Sequence, residues 1–136
     1  VGVRRAFPVA SYIAYALQHT SKRVHLVTGL GGGHRDQMRS VRAGDVAIAI
    51  SFAPYGKETL ECARMAHDNG AKTLVITDST LAPLARSADA LLTVTEGSAF
   101  AFRSLTGTIC LCQALFIALA YRMEIDIEEV GTQAPD

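Results

Sequence analysis

The turn Ser51-Phe52-Ala53-Pro54-Tyr55-Gly56 carries the residue types best suited to holding a small anionic ligand. A serine hydroxyl donates a hydrogen bond to an anion, and a loop tyrosine can stack on or cover the group that bears it. Ser51 has a second reading, as a hydroxyl that caps the end of a strand. Arg4 and Arg5 stand close to the start, ahead of Pro8, a residue that suits the first position of a helix. Two arginines beside a helix N-terminus repel its positive dipole end unless an anion or solvent intervenes. The pair reads either as a phosphate or carboxylate site or as two side chains extended into water.

The elements that would position these residues follow from hydrophobic pattern. Val46–Ile50 is an apolar run leading into the Ser51 turn, and Lys57 to Asp68 is amphipathic. Thr73–Thr77 is a second apolar run, reached after the helix stop Asn69-Gly70. Strand, loop, helix, strand is a βαβ unit with two buried parallel strands. In the helix, Thr59, Cys62, Ala63 and Ala66 recur at helical spacing and form the face expected to be buried. Val1-Gly2-Val3 reads as the tail of a strand already under way, followed by a helix that turns Val9, Ile13, Ala16 and Leu17 inward. Val24–Thr28 reads as an edge strand, since His25 interrupts its apolar run. Ala90–Val94 completes the set as a fifth strand, and a long apolar helix is expected from about Phe100 to Tyr121.

Strands alternating with helices predict an α/β fold, a doubly wound five-stranded parallel sheet in the flavodoxin-like order 2-1-3-4-5. The order reverses between the first and third strands, and open parallel sheets bind ligands at such a reversal, beyond the carboxyl ends of the strands. The two loops flanking it are Arg4 to Phe7 and Ser51 to Gly56. Phe52, Ala53 and Tyr55 belong to the second loop, and Thr77 and Ser98 end other strands on the same rim.

Composition excludes several alternatives. Thirteen basic residues balance thirteen acidic ones, so the chain has no electrostatic footprint for a nucleic-acid backbone or an anionic membrane. Ser104 to Tyr121 is uncharged but diluted by Ser104, Thr106, Gly107, Thr108 and Gln113, which favours a helix buried in the protein or in a dimer over a membrane span. Cys110 and Cys112 are two apart on a helix and point to different sides, so they make no metal pair. Reduced thiols suit a cytoplasmic protein, and neither a metal nor a cofactor is expected. The run Gly29-Leu30-Gly31-Gly32-Gly33 matches neither the dinucleotide fingerprint nor the Walker loop. A phosphoacceptor receiver needs a carboxylate where Ser51 stands. No Gly-x-Ser-x-Gly elbow is present, so nucleophilic hydrolysis lacks support. Isomerisation of a sugar needs a base. His34 and Glu96 are the candidates near strand ends, and each has a plainer reading, as a solvated histidine and a helix-capping glutamate. No residue is therefore assigned catalysis.

Several segments together resemble a known family. They are Gly44 to Phe52, Lys57-Glu58-Thr59, Asn69 to Lys72, Ile76 to Ser79, Pro83-Leu84-Ala85 and Ala88-Asp89. In order and spacing these are similar to the sugar isomerase (SIS) domain, a three-layer α/β sandwich. Arg4 to Ala10 and Phe102 to Leu105 resemble the variant attached to RpiR/MurR-type transcriptional regulators. The resemblance implies a phosphosugar-binding domain, taken over residues 1–123 and usually a homodimer, and the residues 124–136 after it read by composition as an acidic tail. It also implies that DNA is met only through a helix-turn-helix domain not contained in this chain, and that the ligand lies on the loops after the first and third strands. Two departures stand out. Arg4 and Ala6 replace the glycine and serine of the family's first loop, and of the second loop's hydroxyl residues only Ser51 is kept.

Overall fold

The computed structural model describes residues 1–123, and the acidic tail expected over 124–136 lies outside the described residues. Three parallel strands form the sheet: β1 (Val46–Ile50), β2 (Lys72–Thr77) and β3 (Ala90–Thr93), in the order β1-β2-β3. Their registers align Ile50 with Ile76 and Ile76 with Leu92 on one face. Ala49, Val75 and Leu91 align in the same way on the other. Strand side chains alternate between faces, so a strand that is apolar throughout must be covered on both sides. Helix α1 (Phe7–Leu17) and helix α4 (Thr106–Arg122) cover the first face, where Val9, Ile13, Ile50, Ile76 and Cys112 form the core. Helices α2 (His34–Met38) and α3 (Lys57–Asp68) cover the second, around Met38, Cys62, Ala66 and Val75. Ile50 and Ile76 are fully buried. Each such side chain contributes roughly 2–3 kcal/mol of transfer free energy.

The expected parallel α/β architecture is present, with fewer strands than its five. Val1 donates its amine to the Ile48 carbonyl at 2.6 Å and accepts the Ile50 N–H at 2.9 Å. These two bonds are one parallel rung on the free side of β1, where the order 2-1-3-4-5 places the first strand. A single rung is no ladder, and Val24–Thr28 is not a strand either, so the two expected strands on that side are not formed among the described residues. The buried stripe of α3 is the one its spacing predicts: Thr59, Cys62, Ala63 and Ala66 are all buried. Thr59 Oγ1 is left without a hydrogen-bond partner there.

The long helix begins later than its apolar run suggests. Before it, β4 (Ser98–Ala99) and β5 (Phe102–Arg103) pair antiparallel as a hairpin. Phe100 and Ala101 make the turn with φ of 53° and 61°. A two-residue turn of that hand follows the twist of its strands but normally recruits Asn-Gly, which is why Phe-Ala gives no turn signal in the sequence. Helix α4 then starts at Thr106. Among the described residues no helix is long and apolar enough to cross a membrane. Cys112 is buried and Cys110 exposed, on different sides of α4 as their spacing requires. Burial pushes the Cys112 thiol up to about 11.

Candidate functional site

The carboxyl ends of the three strands open on a cleft of about 330 Å³ lined by Phe52, Asp78, Val94, Thr95, Glu96, Ser98 and Arg103. Asp78 is its organising group. It follows directly on β2, because the parallel register carries the end of that strand to the rim beside the loop after β1. Its Oδ2 accepts the Ala53 N–H at 3.0 Å, and its Oδ1 accepts the Tyr55 hydroxyl at 2.9 Å. The Thr77 hydroxyl reaches Oδ1 at 3.4 Å, and Arg103 Nη1 reaches Oδ2 at 3.5 Å. One carboxylate therefore ties together the β1 loop, the end of β2 and the hairpin. Burial works to raise the Asp78 pKa, but the hydrogen bonds from Ala53, Tyr55 and Thr77 outweigh it, and the carboxyl ends below its ordinary value. Burial, the bond to Asp78 and the charge of Asp78 raise the Tyr55 phenol, in that order.

Glu96 also lines the cleft. Its Oε1 accepts both the N–H and the hydroxyl of Thr108, the latter at 2.6 Å, and its Oε2 accepts the Gly107 N–H at 3.4 Å. Those N–H groups are the unpaired donors of the first turn of α4, so Glu96 caps that helix with a full charge where the dipole favours one. Burial would raise its pKa, and the Thr108 and Gly107 bonds bring it below the ordinary carboxylate range.

The eight residues expected to bind ligand separate into groups. Phe52 and Ser98 line the cleft. Ala53, Tyr55 and Thr77 are bonded to Asp78. Ser51 is buried, and its Oγ accepts the Gly56 N–H at 3.3 Å, so the hydroxyl braces its own loop. Arg5 does face the Ser51–Gly56 loop across the rim, but its Nη2 donates to the Ala53 carbonyl. Arg4 is exposed and has a left-handed backbone, φ 54°. Of the two residues weighed as bases, Glu96 is engaged with α4. His34 Nε2 lies 2.8 Å from Glu61 Oε2 on α3, and Arg35 pairs with the same carboxylate. Hydrogen bonds from His34 and Arg35 hold the Glu61 carboxyl below its ordinary value.

Sequence reading missed Asp78, Thr95 and Arg103 as parts of the site. Asp78 had a signal, a carboxylate directly after an apolar strand at its ligand-binding end. Arg103 stood only within the Phe102–Leu105 segment of family resemblance, and its place in the cleft depends on the hairpin. Among the described residues no group of three or more His, Cys, Asp or Glu is placed to hold a metal ion.

Known proteins share this fold. The sugar isomerase domain of the RpiR transcription factor from Sphaerobacter thermophilus superposes with a TM-score of 0.74 at 23% identity, over 89% of this chain and 68% of that one. Vibrio vulnificus NanR, solved in complex with ManNAc-6P, superposes with a TM-score of 0.75 at 23% identity, over 96% of this chain and 50% of that one. At such identities the likeness speaks for the fold. The SIS domain family profile matches residues 1–118, the whole of the sheet and most of the final helix, and the chain belongs to the SIS domain family.

Proposed function

We propose that the chain is a sugar-phosphate-sensing domain of an RpiR-type regulator rather than an enzyme. The observation that carries this reading is the chemistry of the cleft. It offers two ionised carboxylates, Asp78 and Glu96, one guanidinium, Arg103, the Ser98 hydroxyl and the aromatic ring of Phe52. Glu96 Oε2, which holds only the Gly107 N–H, keeps a lone pair that can accept a hydrogen bond from a sugar hydroxyl, and a guanidinium takes an anion. A ligand with both, a phosphorylated sugar, suits the set better than a plain anion, which two carboxylates would repel. The family membership and the ManNAc-6P bound to NanR support the same class. His34 pairs with Glu61 on α3 and does not line the cleft, and Glu96 is bonded to the first turn of α4, which favours sensing over isomerisation.

The regulatory part of the proposal is that two copies associate, in the cytoplasm, and that ligand shifts their relative placement and so biases DNA-binding segments attached upstream of Val1. Helix α4 supports an association, since Ala114, Ile117, Ala118 and Tyr121 form an exposed, uncharged stripe along it. A thermal-shift screen against aldose, ketose and amino-sugar phosphates, ManNAc-6P among them, tests the binding. A member at one hundred times its Kd adds about 2.7 kcal/mol. No response to any phosphorylated sugar would overturn it. A parent reading frame without a DNA-binding segment upstream of Val1 would remove the regulatory part alone.

A further inference from the structure

We propose that Arg103 is the residue that receives the anionic group of the ligand, in place of the arginines at the first loop. The inference rests on the sugar-phosphate reading above and deepens it. A guanidinium has five N–H donors in a planar fork that fits phosphate with two parallel bonds. Arg5 has turned its fork to the Ala53 carbonyl, where it braces the β1 loop. Arg103 makes one contact among the described residues, with Asp78 Oδ2 at 3.5 Å. That is long for a charge-assisted hydrogen bond, which runs to about 2.7–2.9 Å. The same Oδ2 is already held by the Ala53 N–H at 3.0 Å. Most of the Arg103 fork is thus uncommitted, on a side chain 34% exposed at the wall of the cleft.

The hairpin explains why Arg103 faces inward. Ser98 and Arg103 are direct cross-strand partners, so their side chains share one face, and both line the cleft. Ala99 and Phe102 form the next pair and face the other way, with Phe102 78% exposed. A serine hydroxyl beside a guanidinium, one donor next to a fork of donors, is a small anion cradle. Asp78 keeps the fork pointed into the cleft while the site is empty, through a contact weak enough for a phosphate to replace.

Binding of the best responder from the sugar-phosphate screen, measured by calorimetry on the 136-residue chain, tests this. Arg103→Gln should weaken binding on the order of 30-fold, the loss of a charged hydrogen-bonding partner. Arg103→Lys, which keeps the charge and loses the fork, should fall between Arg103→Gln and the parent, and it serves where the glutamine variant fails to fold. Arg5→Gln should weaken binding less than Arg103→Gln, since Arg5 reaches the cleft only through the loop it braces. Undiminished binding by both Arg103 variants would refute the assignment and leave the sugar-phosphate reading standing. A loss confined to Arg5→Gln, or equal in Arg5→Gln and Arg103→Gln, would refute it as well. A parent chain that binds no member of the screen ends the sugar-phosphate reading, and this inference with it.

Discussion

The turn at Arg4–Ala6 and the hairpin at Ser98–Arg103 each carry an arginine to the carboxyl end of the same sheet. At the turn, the Arg5 guanidinium closes on a backbone carbonyl of the neighbouring loop. At the hairpin, the Arg103 guanidinium stands against a carboxylate at 3.5 Å with its other donors open to the cleft. Residue type is the same, yet one cation works for the fold and the other is left for a ligand. A positively charged side chain near a predicted site is thus a weak signal until its hydrogen-bond partners are known.

Asp78 is the group on which this contrast depends, and removing it should have the largest effect. Asp78→Ala leaves the Ala53 N–H and the Tyr55 hydroxyl without their acceptor and should cost about 3 kcal/mol in denaturant unfolding. A cost below about 1 kcal/mol would mean that the β1 loop is held by something else. Acid should imitate the variant. The Asp78 and Glu96 carboxyls are lower in pKa folded than unfolded, so their stabilisation is complete above the ordinary carboxylate range, near pH 4. It is lost as the pH falls through the depressed folded values, where the folded protein takes up the protons it excluded.

Arg5→Gln sharpens the comparison at intermediate size. Loss of the bond to the Ala53 carbonyl should lower stability by about 1.5 kcal/mol. Arg103→Gln should lie within about 0.5 kcal/mol of the parent, because its only described contact is long and partly exposed. The same unfolding titration on the two variants separates an arginine that holds the fold from one that does not. Reversed costs would exchange their roles.

The smallest effect concerns the hairpin turn. Ala101 has a φ of 61°, a conformation that an L-residue with a Cβ adopts at a cost. Ala101→Gly should raise stability by about 0.5 kcal/mol, relief of that strain less the added freedom of the unfolded chain. A lower stability would mean that the turn holds its shape without strain at this position.

Much of the frame is legible in the sequence. The run Val46–Ile50 is β1 as read, Thr73–Thr77 falls inside β2, and Lys57–Asp68 is α3 with its buried stripe in place. These are long periodic segments whose pattern is set by burial alone. The site was less legible, for two physical reasons. Val24–Thr28 and the hairpin depend on partners, the one lacking a ladder and the other built on a turn without a turn signature. Hydroxyl and guanidinium groups, moreover, choose between a ligand and the nearest backbone group only in three dimensions. Ser51 turned to the Gly56 N–H and Arg5 to the Ala53 carbonyl, and nothing in their spacing announces either choice.

The hairpin also joins the cleft to the surface. Its base is the Ser98–Arg103 pair inside the cleft, and its end is Phe100, entirely exposed. Two residues of extended strand span about 7 Å. A tilt of about 15° at the base would carry the end through about 2 Å over that length. A change of that size at the Ser98–Arg103 pair would be read at the exposed ring of Phe100. A reporter placed at position 100 would therefore sense the cleft from outside it.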